Sequence, residues 1–198
     1  MESIDYLVLR DKLTTGDLAF FAGSGAFSWG IKRLSRSRWS HVGVIVVDAA
    51  TDTVLLWESD TTEDVRDVTT ARFERGVRIV EFSEKLRLYP GPVAVRRRQA
   101  PFRDVQRTAF KEVRDRLKGL PYEEDLLELI LAAYDGPFGQ NTEDLQSIFC
   151  SEAAAVMLQA VGDLNPARAS NEFTPGDLER HELLPYAPAV LLNRVYSS

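Results

Sequence analysis

Two β-branched and apolar runs, Val42-Gly-Val-Ile-Val-Val47 and Thr53-Val-Leu-Leu-Trp-Glu58, flank the polar break Asp48-Ala-Ala-Thr-Asp52, whose two ends are turn formers. Side chains of this kind suit a pleated, half-buried surface, and a break this short admits an antiparallel hairpin but no crossover to a parallel partner. The hairpin therefore calls for a mainly antiparallel sheet. Strands expected to extend it are Asp17–Phe21, Val77–Phe82, Val93–Arg96 and Ala189–Leu192, with Pro90-Gly-Pro92 as punctuation. Phe102, Val105, Ala109, Val113 and Leu117 recur at three- and four-residue steps among charged residues, which predicts an amphipathic surface helix closed by Gly119 and Pro121. Shorter helices are expected over 27–34 and 123–134. Another runs from about Cys150 to Val161, where Ala153–Leu158 is apolar on every side, as befits a helix in the interior. No internal repeat is visible, and Asp135–Thr142 is too short a linker to separate independent cores, so the expectation is one α+β domain over residues 1–198, an antiparallel β-sheet packed against helices.

Composition narrows the function. At 198 residues, 44% hydrophobic and 27% charged, the chain can form a core without disulfides or a structural metal. A formal net charge of -6 offers no footprint for duplex nucleic acid. One cysteine precludes an internal disulfide, and with two histidines it is a poor supply for a zinc cage, so no metal or other cofactor is expected. No run approaches the roughly 20 apolar residues of a spanning helix. The N-terminus lacks the basic leader and cleavage site of a secretory signal, so a cytoplasmic location is expected. Gly25-x4-Gly30 has half the spacing of a phosphate loop, but Ile31 and Arg33 stand where that loop needs lysine and a hydroxyl, so a nucleotide site is not expected.

Cys150 falls at the N-terminal end of the interior helix, where unpaired N–H groups and the aligned peptide dipoles favour a thiolate and can also donate to a developing oxyanion. A buried structural thiol is the competing reading. His41 opens the first hairpin strand, and imidazole suits proton transfer near neutrality. Centring the loop so that Val47 faces Val54 makes odd-numbered residues of the first strand share a face with even-numbered residues of the second. His41 and Glu58 then project together as diagonal neighbours, roughly 7 Å apart at the backbone, so that Glu58 can orient the ring. A loop of odd length would separate them. Asp60 has the same parity and is the reserve candidate, and His181, in helical and charged surroundings that suggest exposure, is a third candidate base.

Three segments resemble the circularly permuted NlpC-type members of the papain-like superfamily, relatives of the lecithin:retinol acyltransferase proteins: Gly16-Asp-Leu-Ala-Phe20, Ser40-His-Val-Gly-Val-Ile45 and Phe149-Cys-Ser-Glu152. They occur in the permuted order, histidine before cysteine, and span roughly residues 16 to 160. Trp57-Glu-Ser59 lies where the group often carries its third polar residue, and Gly119-Leu-Pro-Tyr-Glu123 is similar to a glycine-tyrosine segment ahead of the cysteine. The resemblance implies a permuted papain-like fold. It also implies a cysteine hydrolase acting on a peptide, cell-wall or N-acyl amide through a Cys150 thioester, with Tyr122 and Ser151 lining the oxyanion and substrate site. Two alternatives stay open: a lipid-directed acyltransferase, for which the basic and apolar stretch Trp29–Trp39 offers a weak membrane-surface contact, and a non-catalytic binding module.

Overall fold

The computed structural model describes residues 1–23, 36–120 and 149–193. The helices expected over 27–34 and 123–134, the linker 135–142 and most of the Trp29–Trp39 stretch lie outside them. Apolar runs resolve into strands β2 (Leu18–Phe21), β3 (His41–Asp48), β4 (Thr53–Asp60), β5 (Gly76–Glu81), β6 (Val93–Arg96) and β7 (Val190–Asn193). A further short strand, β1 (Ser3–Asp5), precedes helix α1 (Tyr6–Arg10). The remaining helices are α2 (Phe82–Leu88), α3 (Asp104–Leu117), α4 (Cys150–Ala160) and α5 (Pro175–Arg180). The strands form one sheet in the order β1-β7-β6-β2-β3-β4-β5, antiparallel throughout except for the β1–β7 pair. The architecture is α+β.

The hairpin takes the register that places Val47 opposite Val54 and Val44 opposite Trp57, and Asp52 turns the chain with a positive φ of 51°. Both sheet faces are covered, which is why the β runs are apolar at consecutive positions. On one side Phe20, Val42, Val44, Val46 and Trp57 share a core with Phe110, Val113 and Leu117 of α3 and with Ala153, Ala154 and Met157 of α4. On the other, Ala19, Phe21, Ile45, Leu56 and Val80 join Leu9 of α1 and Phe82 and Leu86 of α2. Burying a side chain of that size is worth roughly 1.5–3 kcal/mol, so each helix is held to the sheet by a few such residues.

Two expectations are corrected. Phe82 does not end β5 but begins α2, whose buried residues Phe82, Lys85 and Leu86 follow helical spacing. Val105 is 65% exposed, although the stripe read from sequence included it. Counting back one turn from Phe110 reaches Gln106, which is buried and donates Nε2 to the Val161 carbonyl at 2.9 Å. Residues Cys150 to Leu158 of α4 are all buried, as an interior helix requires.

Candidate active site

His41 is the first residue of β3, and Glu58 lies on β4 on the same sheet face. His41 Nε2 stands 2.7 Å from Glu58 Oε2. The other carboxylate oxygen, Oε1, accepts from Arg78 Nε and Nη2 at 3.1 and 2.9 Å and pairs with Lys85 Nζ at 3.2 Å. Arg78 reaches it because β5 pairs Arg78 directly opposite Glu58, and Lys85 because α2 packs that face. Asp60 accepts from Lys85 and from Arg78 Nη2 (3.1 Å), and Asp64 from the same Nη2 at 3.0 Å. Glu58, Arg78 and Lys85 are each 1% exposed. Charges so deeply buried are tolerable only when densely paired, because each ion loses several kcal/mol of hydration.

The same pairing sets the charge states. Burial pushes Glu58 towards its neutral form, but Lys85, His41 and Arg78 outweigh it and hold the carboxyl well below its usual range. Asp60 is also lowered: burial and Glu58 oppose its ionisation, while His41, Lys85 and Arg78 prevail. For His41, burial disfavours the imidazolium, yet the charges of Cys150 and Asp60 and the hydrogen bond to Glu58 push its pKa up to about 10.

Cys150 is the first residue of α4, follows the cap residue Phe149, and lies close enough to His41 to raise the pKa of its ring. With Nε2 held by Glu58, Nδ1 is the ring nitrogen left for the sulfur. Cys150 belongs to the core on the α4 side of the sheet, whereas the Glu58 cluster lies on the α2 side. They meet because His41 is a strand terminus, where a side chain from either face is within reach. Ser151 is buried at the second position of α4, and Tyr122 lies outside the described residues. His181 is not exposed: it caps the C-terminus of α5, half-buried, with its ring 6.3 Å from that of Phe173 and its carbonyl accepting from Arg96. Arg38, at the end of the basic stretch, stacks over the buried ring of Trp39 at 5.0 Å.

Arg78 and Lys85 were not anticipated. A cation inside an otherwise apolar strand, Val77-Arg78-Ile79-Val80, was the available signal for Arg78.

His41, Glu58 and Asp60 offer ligand atoms that lie within 4.8 Å of one another, the spacing of a small metal site. They do not fit one. Both Glu58 oxygens and the facing Asp60 oxygen are committed to His41, Arg78 and Lys85, and the two buried cations paired with these carboxylates would repel a divalent ion.

No family model matches the chain, and no curated protein matches it. Among solved structures it is similar to the metalloprotein yiiX from Escherichia coli O157:H7, with a TM-score of 0.54 over 91% of this chain and 89% of that one, at 16% identity. At that identity the likeness concerns the fold. No helix among the described residues is long and apolar enough to cross a membrane.

Proposed function

We propose that the chain is a cysteine hydrolase of permuted papain-like type that cleaves an amide or ester of a peptide, cell-wall or N-acyl substrate. The observation that carries this reading is a thiol at the start of a buried helix, close enough to an imidazole to raise its pKa, with that imidazole 2.7 Å from a buried carboxylate. The Cys150 thiolate attacks the carbonyl carbon, forming a C–S bond while the π electrons move to oxygen, which the N-terminal N–H groups of α4 stabilise. Collapse expels the amine or alcohol, which takes its proton from His41. His41 then accepts a proton from water as the water oxygen attacks the thioester, and collapse releases the acid and restores the thiolate. Glu58 keeps Nε2 engaged so that Nδ1 faces the sulfur, and Arg78 and Lys85 hold Glu58 ionised.

The neighbour's description as a metalloprotein raises a metal-dependent alternative for this chain. The committed carboxylate oxygens argue against it. One set of measurements separates the readings. Iodoacetamide at pH 6 should alkylate Cys150 far faster than a free thiol of ordinary pKa, about 8.5. His41→Ala should slow this, and EDTA should leave it unchanged. Incubation with cell-wall peptides and N-acyl amino acids should leave an acyl thioester on Cys150 by mass spectrometry. Slow labelling that ignores His41→Ala would favour the binding module, stoichiometric metal would favour the metal site, and transfer to an added alcohol or amine in place of water would favour an acyltransferase.

A further inference from the structure

A cavity of about 170 Å³ lies between β5, the turn at Asp67 and Thr69, and the C-terminal half of α3. Its apolar lining is Trp57, Val77 and Ile79. Trp57 meets Phe110 of α3 edge-on at 5.5 Å, while Glu58, the next residue, faces the opposite side of the sheet towards His41, so the cavity shares Arg78 with the charged cluster but not the carboxylates that Arg78 pairs with.

Five ionisable residues line the cavity, and three are already satisfied. Asp67 accepts from the backbone N–H groups of Thr69, Thr70 and Ile79. Arg78 is spent on Glu58, Asp60 and Asp64, and Asp115 pairs with Lys111 at 2.6 Å. The remaining two, Arg114 and Lys118, make no ion pair among the described residues. Arg114 stacks its guanidinium over the Phe110 ring at 5.2 Å, and its buried Nε has no hydrogen-bond partner among the described residues. Among the described residues the nearest acid to act on Arg114 and Lys118 is Asp115, which is already paired with Lys111, and a partly desolvated cation so weakly compensated is a cost that a bound anion would offset. Burial accordingly pulls the Arg114 pKa down, with only Asp115 opposing.

The geometry points to a binding site for a small organic anion, its carboxylate at Arg114 and Lys118 and its aromatic or branched apolar body against Trp57, Val77 and Ile79. The size is apt, since an apolar cavity of about 150 Å³ accommodates benzene. Inorganic phosphate supplies the charge without the body, and benzamide the body without the charge.

Benzoate is the probe, titrated into the full chain by calorimetry and by the shift of the Trp57 indole N–H resonance. A ligand of this size should bind with a Kd on the order of 1 mM. Benzamide and phosphate should each bind about tenfold more weakly or worse, and Arg114→Met should lose about the same factor. Lys118→Met, at an exposed position, should lose about threefold without touching the fold. If benzamide equals benzoate, or Arg114→Met binds as wild type does, the anion site is overturned. So it is if the Trp57 resonance does not respond at about 20 mM benzoate. None of these outcomes depends on Cys150.

Discussion

Burial alone would strip the proton from His41, and what pushes its pKa the other way, up to about 10, is the company of Cys150, Asp60 and Glu58. The ring is therefore expected to be imidazolium at pH 8, where an unperturbed histidine, with a pKa of about 6.5, is neutral. Nitrogen-detected NMR of the imidazole should show both ring nitrogens protonated up to about pH 10. Cys150→Ala removes the largest of the raising influences, so the same titration should move to lower pH. A neutral His41 at pH 8 in the wild type would break the link between sulfur and ring. Arg78 makes a different demand. It spans Glu58, Asp60 and Asp64 with no exposed side-chain surface of its own, so its loss leaves carboxylates buried with one cation fewer. Arg78→Met should cost about 3–5 kcal/mol in urea unfolding, the range for breaking a buried ion pair from one side. Arg78→Lys should recover some of that, because it restores the charge without the fork that reaches three acceptors. A loss below about 1 kcal/mol for Arg78→Met would mean that Lys85 alone sustains the cluster.

Among elements, the β3–β4 hairpin was the most legible, because a short loop leaves little but parity to decide: with Val47 opposite Val54, residues 41 and 58 share a face. The register that brings Arg78 opposite Glu58 could not be read the same way. β4 and β5 are joined by residues 61–75, and a connection of that length leaves the pairing to tertiary contacts. Lys85 was hidden for a related reason: α2 has only seven residues, too few for periodicity to distinguish it from a continuation of β5. α5 did carry a signal, since Thr174-Pro175-x-Asp177 is a capping box with proline at the first helical position, and Thr174 and Asp177 bond each other's backbone N–H at 3.1 and 3.0 Å. In the segment leading into β2, Gly16 combines a φ of 102° with a site where an added Cβ would stand 2.5 Å from the Phe102 ring. Gly16→Ala should therefore cost about 1–3 kcal/mol through backbone strain and overpacking together. Thermal unfolding would register this as a lower midpoint, and an unchanged midpoint would mean that the Phe102 ring moves aside freely.

The sheet is the wall of two cores at once, with α3 and α4 on one side and α1 and α2 on the other, and the ion cluster pins β4, β5 and α2 together at one end of it. Loosening the cluster should therefore unfold the molecule as a unit. Glu58 and Asp60 have carboxyl pKa values held below their unfolded ones, so the stability they contribute is present above about pH 4 and is lost as pH falls through the depressed values. Asp17 works in the opposite direction, because burial raises its pKa and its ionisation weakens the fold at neutral pH. Among the described residues, Glu58, Asp60, Asp64 and Asp67 are lowered and oppose the raised Asp17, so acidification should be net destabilising. Below about pH 4, Glu58 and Asp60 together should add a fall approaching 2.7 kcal/mol per pH unit, twice the value for one proton. Lys85→Met removes a principal cause of both depressed values, so its stability at neutral pH should be lower and its decline in acid shallower. Urea midpoints measured between about pH 2.5 and 6 test this. Tryptophan fluorescence, reporting Trp57 in the α4-side core, and far-ultraviolet dichroism should trace one coincident transition. Equal acid slopes in wild type and Lys85→Met would show that the cluster's charges are not what acid attacks, and separated transitions would show that the two cores come apart before they unfold.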